Sequence, residues 1–375
     1  MRIYIYIIIF FAFFDLFAQL PLISPFAISL GATPFLAGLA VGMYSLSNTI
    51  GNVISGIFSD KKGPFAILIT GLLSTGLILF FYSLAGGPYS LLFIRFLHVL
   101  AAGLTVPAAF TYLANRTDQS RRGKGAAVSG AFVGLAAIIG PAYGAIYASR
   151  TSTPETMAVT GAMIIILGIL SYFLLNRTAA KSENRPSEAM PIRNLIRNKG
   201  LIRSFSGAFF LMFSQGVLAY MLPLKVEGLG FGSEMSGLLL STFGIAAILI
   251  FLLPVNRIFD FAKPVYTLIL GFIFMGASLF LLSAVSAPSL LYFTMCTYGI
   301  GFALLFPSIN SLLIDSTTST SRGRAYGYFY AFFSLGVVAG SSLTGALELD
   351  ANEGFTFSGV LLIITAAINL LTIRK

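Results

Sequence analysis

Long apolar runs, separated by short polar or glycine- and proline-containing turns, recur along the whole chain of 375 residues. A run of about 20 apolar residues is long enough to cross the ~30 Å hydrocarbon core of a bilayer as an α-helix. The pattern therefore predicts an all-α integral membrane protein with twelve transmembrane helices. The predicted spans are residues 3–24, 36–58, 64–85, 88–114, 124–149, 156–176, 204–224, 234–258, 264–285, 288–314, 323–347 and 355–373.

The two halves of the chain repeat each other at a distance of 200 residues. The matching positions are Asp60 and Asp260, Pro64 and Pro264, Gly71 and Gly271, Gly76 and Gly276, Pro107 and Pro307, Arg122-Gly123 and Arg322-Gly323, and Gly140 and Gly340. Such a repeat predicts two pseudo-symmetric six-helix bundles with a substrate site near the bilayer midplane between them. We therefore divide the chain into an N-terminal bundle (1–176), a cytoplasmic central linker (177–203) and a C-terminal bundle (204–375).

Composition agrees with a membrane protein. Hydrophobic residues make up 57% of the chain and charged residues only 10%, whereas soluble domains carry roughly 25% charged residues. The lipid bilayer is thus the first partner that the sequence predicts.

The net charge of +10 would suggest a nucleic-acid partner for a soluble protein. Here the basic residues are distributed unequally between the two predicted sides of the membrane. Only Arg150 and Lys225 fall on the side opposite the termini, and 20 fall on the side of the termini. Because cytoplasmic loops are rich in Lys and Arg, both termini are predicted to be cytoplasmic in a multi-pass protein of the cell membrane. The charge thus marks topology, and we expect no nucleic acid.

Residues that would support catalysis or cofactor binding are scarce. The chain has one histidine and one cysteine, and it lacks the Gly-rich Lys-Ser/Thr loop that binds nucleoside triphosphates. We therefore expect no enzyme, no cofactor, no metal and no direct ATP drive, although counting residues does not exclude a serine-based active site. We expect the chain to act as a monomer.

One carboxylate, Asp15, stands among phenylalanines in the first predicted span, FAFFDLFAQL (11–20). Charges inside a membrane are costly and normally pair within a bundle or a wet cavity. Counted along straight helices at 1.5 Å per residue, Asp15 and Arg95 lie about 13 and 10 Å from the same membrane surface. Gln19 follows Asp15 by one helical turn, and His98 follows Arg95 by one turn. Two polar stripes can therefore meet across one cavity.

These stripes suggest a proton-coupling site made of Asp15, Arg95 and His98. Burial favours the neutral form of a carboxyl group and a neighbouring cation favours the charged form, so Asp15 can switch as the cavity opens and closes. Arg95 is expected to meet Asp15, and His98 is expected to relay the proton or to report pH. The alternatives are a structural ion pair of Asp15 with Arg95, an arginine that packs helices, and a histidine that binds a backbone carbonyl.

Three stretches carry a resemblance to a known family. GIFSDKKGP (56–64) is similar to the loop G-x-x-x-D-[RK]-x-G-[RK]-[RK], although its final basic pair is replaced. RFLHVLAAG (95–103) is similar to R-x-x-Q-G-x-x-x-G, with His98 at the glutamine position. GPAYGA (140–145) is similar to the antiporter element G-P-x-x-G-G. The matching loop and antiporter-element residues are Gly56, Asp60, Lys61, Gly63, Gly140, Pro141 and Gly144.

Over essentially its whole length the sequence resembles the major facilitator superfamily of transporters, and the third stretch resembles its drug:proton antiporter branch. The resemblance implies that Asp60 docks near the start of the eleventh span as a cytoplasmic gate; the alternative is a polar turn that ends a helix. Pro141 is expected to kink its helix, and the glycines beside it to allow close helix packing.

The resemblance also implies that spans 1, 4, 7 and 10 line the substrate cavity. The carboxylate of Asp15 is not repeated, because Gln215 occupies its position in the second half. The candidate cavity residues are Gln19, Gln215, Tyr220, Thr294, Tyr298 and Phe302. An apolar, aromatic cavity with one acid suits a lipophilic or cationic compound.

The sequence therefore favours a secondary transporter that couples efflux of small amphipathic compounds to protons by alternating access. The alternative is a symporter or facilitator that imports a sugar or another small metabolite. Importers of polar solutes need many hydrogen-bonding side chains at the midplane, and this chain shows few, which favours export.

Overall fold

The computed structural model describes residues 2–115, 122–175, 198–253, 261–317 and 322–373, and within these ranges the regular structure is helical. The helices are α1 (Arg2–Gln19), α2 (Ile23–Ser29), α3 (Pro34–Lys62), α4 (Pro64–Leu79), α5 (Pro88–Asn115), α6 (Arg122–Arg150), α7 (Thr153–Leu174), α8 (Lys199–Gly228), α9 (Ser233–Leu252), α10 (Pro264–Ala284), α11 (Pro288–Asp315), α12 (Arg322–Ala346) and α13 (Ala351–Ile373). A 3-10 turn, Phe80–Leu84, follows α4. The predicted all-α class is confirmed, and every predicted span holds a helix.

Among the described residues, ten helices are long and apolar enough to cross a membrane, and the pair α1 and α2 adds an eleventh span if it is counted as one. The second predicted span is α3, a continuous helix of 29 residues whose asparagines, serines and threonine reduce its hydropathy. At 1.5 Å per residue α3 is about 43 Å long, which exceeds the hydrocarbon thickness. The chain is thus a multi-pass membrane protein.

The first span is bent rather than straight. The axis of α1 meets the axis of α2 at 47°, and Pro21 lies in the break between them. Proline has no backbone N–H to donate and crowds the preceding turn, so it interrupts the helix at this point. The prediction of one uninterrupted helix over 3–24 is therefore wrong.

Contacts divide the chain into two compact units, Met1–Asn184 with Phe231–Ser241, and Arg185–Gly230 with Thr242–Lys375. In the first unit α1 packs against α6, and α4 packs against α5 and α7. In the second unit α8 packs against α12, and α10 packs against α11 and α13. The repeat in the sequence is therefore also a repeat of helix pairs. Most of the predicted linker, 177–197, and Asp260 lie outside the described residues.

Glycines stand where these helix pairs approach most closely. A Cβ atom built on Gly71 would lie 3.1 Å from the Cβ of Leu104, and one built on Gly271 would lie 2.8 Å from the Cβ of Leu305. Both distances are too short for a side chain without movement of the neighbouring helix. Small residues at such crossings let helix backbones approach in a membrane, so the glycines that repeat in the sequence set the spacing of equivalent helices.

Candidate functional site

Asp15 lies inside the first unit, with only 1% of its surface exposed. Its Oδ2 atom is 3.1 Å from Nε2 of His98 on α5, and the two side chains form an ion pair when the histidine is protonated. Its Oδ1 atom accepts a hydrogen bond of 2.7 Å from Nε2 of Gln19. Gln19 reaches Asp15 because the two residues are one turn apart on α1. Both oxygens of this buried carboxylate therefore have a polar partner.

Arg95 reaches the carboxylate indirectly. Its Nη1 atom donates a hydrogen bond of 2.7 Å to Oε1 of Gln19, and its Nε atom donates to the backbone carbonyl of Ala40 on α3. Among the described residues there is no direct ion pair between Arg95 and Asp15. The expectation that the two charges meet directly is wrong, because the bond to α3 holds the guanidinium and Gln19 stands between the charges.

Tyr82 joins the same network from the 3-10 turn. Its hydroxyl is 3.1 Å from Nδ1 of His98 and 3.5 Å from Nη1 of Arg95, so the second contact is long and weak. Sequence reasoning missed Tyr82, which lies near the end of a predicted span. Only the packing of the 3-10 turn brings its side chain, which is fully buried, beside α5. Tyr44 on α3 is also near enough to interact electrostatically with Asp15 and Arg95.

The hydrogen bonds form two arms that start at Arg95 and end at Asp15. In one arm Arg95 donates to Gln19, and Gln19 donates to Oδ1 of Asp15. In the other arm Arg95 donates to Tyr82, and the ring of His98 lies between the Tyr82 hydroxyl at Nδ1 and Oδ2 of Asp15 at Nε2. In the tautomer with its proton on Nε2, His98 accepts from Tyr82 and donates to Asp15. One buried cation and one buried anion then balance within one connected network.

The network connects two helices through polar side chains. Gln19 and Asp15 lie on α1, Arg95 and His98 lie on α5, and each oxygen of Asp15 has one partner from these residues. Each carboxylate oxygen therefore keeps a second lone pair for a further donor.

The antiporter-like element on α6 lies behind this network. A Cβ atom on Gly140 would lie 2.8 Å from the Cβ of Phe17, and one on Gly144 would overlap the carbonyl oxygen of Ala18. The two glycines thus let α1 pack closely against α6 within one turn of Asp15 and Gln19. Pro141 lies within the continuous helix α6. Its expected role in antiport stays a prediction.

The loop predicted as a gate joins α3 and α4. Gly56 lies on α3, and Gly63 separates the two helices with a φ of 83°, a conformation that glycine adopts without strain. The side chains of Asp60 and Lys61 lie outside the described residues. The gate therefore stays a prediction.

Two of the predicted cavity residues of the second unit are held by hydrogen bonds. The hydroxyl of Tyr298 lies 2.8 Å from the hydroxyl of Ser214, which joins α11 to α8. Thr294 donates to the carbonyl of Leu291 in its own helix at 2.8 Å. Both side chains are buried, so the position equivalent to His98 holds a tyrosine in a neutral hydrogen bond.

The other predicted cavity residues differ in exposure. Tyr220 is buried, whereas Gln215 and Phe302 are partly exposed. The ring of Phe302 packs edge-on against that of Phe243 at 5.3 Å. The second unit thus offers aromatic and amide groups where the first unit has its charged network. Their contact with a substrate stays a prediction.

With the fold and the network described, comparison with known proteins identifies the class. The family model of the Major Facilitator Superfamily matches residues 5–207 and 204–375. The chain belongs to the major facilitator superfamily of membrane transporters, which confirms the resemblance found in the sequence. The two matched segments correspond to the two halves of the internal repeat.

Similar curated proteins include transporters named for drug efflux. An uncharacterized transporter of this superfamily, MJ1560 from Methanocaldococcus jannaschii, is 22% identical over 95% of this chain and 93% of its own length. The multidrug resistance protein MdtG of Escherichia coli is 24% identical over 85% of this chain and 79% of its own. The multi-drug resistance efflux pump PmrA of Streptococcus pneumoniae is 25% identical over 84% of this chain and 81% of its own.

Solved structures share the fold at low sequence identity. A bacterial homologue of the human lysosomal transporter Spinster has a TM-score of 0.82 and 12% identity, covering 100% of this chain and 96% of its own. The nucleoside transporter NupG has a TM-score of 0.82 and 13% identity, covering 99% and 98%. These similarities establish the architecture of a transporter.

Proposed function

We propose that this transporter exports small amphipathic or lipophilic compounds in exchange for protons, by alternating access. The observation that carries the proposal is the buried Asp15, whose carboxylate contacts His98 at 3.1 Å within one bundle. A carboxylate and an imidazole in contact provide two groups that can hold a proton inside the membrane. The similarity to MdtG and PmrA supports drug-like compounds as substrates.

Proton coupling would follow from the two states of the network. With Asp15 ionised, both arms from Arg95 are complete, and α1 is tied to α5 through Gln19 and His98. With Asp15 protonated, its carboxyl group loses the negative charge, so the hydrogen bonds from Gln19 and His98 weaken and the two helices are held together less strongly. A transporter in which one state favours proton binding and the other favours substrate binding exchanges the two. A cationic substrate would favour the ionised state by adding positive charge near Asp15.

We propose that the protein lies in the cell membrane with both termini in the cytoplasm, because 20 basic residues fall on that predicted side. The substrate would bind between the bundles, near the residues predicted for the cavity, in a monomer. Asp60 would form part of the cytoplasmic gate.

The test is pH-gradient-driven transport of a lipophilic cation in proteoliposomes. Asp15→Asn keeps the size of the side chain and removes its charge, and Met275→Leu, a buried apolar change in the second bundle, is the control. We expect Asp15→Asn to lose gradient-driven accumulation while it keeps exchange without a gradient, and Met275→Leu to keep accumulation. Accumulation that Asp15→Asn leaves unchanged would contradict the role of Asp15.

A second candidate is an importer of a polar metabolite, because NupG, named as a nucleoside transporter, has the same fold. The same proteoliposomes distinguish the two functions. An importer would take up a nucleoside or sugar along a proton gradient and would not transport the lipophilic cation. An exporter would show the opposite preference.

A further inference from the structure

A small cavity lies beside Asp15 inside the first unit. Its volume is about 10 Å³, close to the space that one water molecule requires. It lies where α1, α4, α5 and α7 meet. The lining residues are Ala12, Asp15, Leu72, Thr75, Ala102, Thr105 and Ile164.

Two hydroxyl groups at this cavity lack a partner. Thr75 on α4 and Thr105 on α5 have 3% and 2% of their surface exposed, and their Oγ1 atoms have no hydrogen-bond partner among the described residues. Thr156 and Thr160 on α7, by contrast, donate to the carbonyl one turn earlier at 2.8 Å. A buried hydroxyl without a partner destabilises a protein. Both threonines line the cavity, so a water molecule there would be a partner for these hydroxyl groups.

The second bundle shows that the fold does not require these threonines. Met275 occupies the position of Thr75 and Leu305 that of Thr105 at the offset of 200 residues, and both are fully buried. Met275 packs so closely that a Cβ atom on Gly301 would lie 2.6 Å from its Cγ. Larger apolar side chains therefore fill the site in one bundle, whereas the other keeps polar groups around a cavity.

We propose that this cavity binds a resident water molecule, held by Thr75, Thr105 and Asp15, through which Asp15 gains and loses its proton. Each oxygen of Asp15 accepts one hydrogen bond from the protein and has a second lone pair for a donor from water. The site would lie inside the first bundle. This inference rests on the proposed proton coupling and adds the route by which the proton arrives.

The proton step is balanced without any other reactant. A hydrated proton reaches the cavity water, one O–H bond of the resulting hydronium breaks, and a new O–H bond forms on Asp15. The water is left neutral and the carboxyl group carries the proton; release is the reverse.

The other titratable and charged groups near Asp15 lie away from the lining of the cavity. They are His98 and Arg95 on α5, Tyr82 in the 3-10 turn and Tyr44 on α3. On α6, Tyr143 packs against Phe14 of α1 with ring centroids 4.9 Å apart. The lining residues of α4 and α7 are threonine or aliphatic. Asp15 is thus the titratable group that touches the cavity.

The presence of the water is tested by X-ray radiolysis in ¹⁸O-labelled water, which oxidises side chains next to bound water. Leu72 and Ile164 line the cavity and are buried, so we expect them to be labelled in the native protein. Phe272 and Leu362, which are fully buried in the second bundle, are the controls and should stay unlabelled. The double variant Thr75→Met with Thr105→Leu introduces the residues found at the equivalent positions of the second bundle. We expect it to abolish the labelling of Leu72 and Ile164. Absence of label from Leu72 and Ile164 in the native protein would overturn the proposal.

The role of the water is tested by transport in proteoliposomes with the same double variant. A cooperative thermal unfolding transition first establishes that this variant is folded. Thr75→Ser, which keeps the hydroxyl, and Met275→Leu are the controls. We expect the filled cavity to lower proton uptake per substrate exported, and the controls to keep the native ratio. If the double variant shows no labelling of Leu72 and Ile164 but takes up as many protons per substrate as the native protein, the proposed proton route is wrong. If the native protein moves no protons but Leu72 is labelled, the proposed proton coupling is wrong and the water site is supported. If the double variant does not fold, Thr75→Val replaces it in both experiments.

Discussion

Aligned at the offset of 200 residues, the two bundles place Arg95 opposite Met295 and His98 opposite Tyr298. Both bundles share three helix pairs and place equivalent glycines at close crossings. The shared pairs are α1–α6 with α8–α12, α4–α5 with α10–α11, and α4–α7 with α10–α13. The charged network is nevertheless confined to the first bundle, because the second has neutral side chains at these two positions. A bundle of this shape can thus be completed by apolar packing, which is often at least as stable as a buried ion pair. This difference between the bundles supports the proposed role of the charges in proton coupling.

The largest effect is expected from converting the first bundle toward the second with Arg95→Met. Loss of the guanidinium leaves Oε1 of Gln19 without its donor and the carboxylate of Asp15 without the cation of its network. A buried polar group left unsatisfied costs about 1–3 kcal/mol, and more when a charge is involved. Thermal unfolding in detergent measures this cost. The matched change Met295→Leu should cost about 1.5 kcal/mol or less.

A double variant sharpens the same comparison. Arg95→Met combined with Asp15→Asn removes both charges, so we expect it to recover most of the lost stability without restoring proton coupling. The pairwise interaction is obtained from the double-mutant cycle. Equal instability of the single and double variants would show that Arg95 contributes packing rather than charge balance.

The next effect is expected at glycines that pack against a neighbouring helix in both bundles. Gly144→Ala would press against the carbonyl oxygen of Ala18, and Gly340→Ala would press against that of Phe213. We expect each change to destabilise the protein by about 1–3 kcal/mol, as overpacking does. Gly130→Ala on α6 is the control, because nothing lies within 4 Å of its Cβ position. A loss confined to one bundle would contradict the shared packing scheme.

A third prediction separates the two buried tyrosines. Tyr82→Phe removes the partner of His98, and Tyr298→Phe removes the partner of Ser214. Each should cost about 0.5–1.5 kcal/mol, the usual net value of a hydrogen bond. We expect only Tyr82→Phe to change the pH profile of gradient-driven transport, measured in proteoliposomes. The same change from Tyr298→Phe would extend the proton-sensitive network to the second bundle.

The smallest difference in stability between the two bundles is expected for variants at the N-termini of two equivalent helices, α7 and α13. Ser152 caps α7 by accepting a 3.3 Å bond from the N–H of Glu155. Asp350 caps α13 by accepting a 2.8 Å bond from the N–H of Glu353, and Oε2 of Glu353 accepts a 3.0 Å bond from the N–H of Asp350. Removal of a cap costs about 0.5–2 kcal/mol. We therefore expect Asp350→Ala to lower the unfolding temperature more than Ser152→Ala; the reverse order would contradict the stronger reciprocal cap.

Much of the candidate site was predictable because it follows helical spacing. Asp15 with Gln19, and Arg95 with His98, stand one turn apart, so each pair had to share a helix face. The partners across helices were not predictable in the same way. His98, rather than Arg95, contacts Asp15, because the guanidinium is bound by the carbonyl of Ala40.

The sequence by itself determined the helices, their apolar spans and the repeat, because hydrophobic runs and glycine and proline positions act over a few residues of local backbone. Tertiary structure alone decided the entry of Tyr82 into the network and the cavity beside Thr75 and Thr105. Residues far apart in the chain meet there, and their contacts depend on how closely neighbouring helices approach. Where Gly71 brings α4 against α5, the side chains that face each other decide whether the space is filled or left for water.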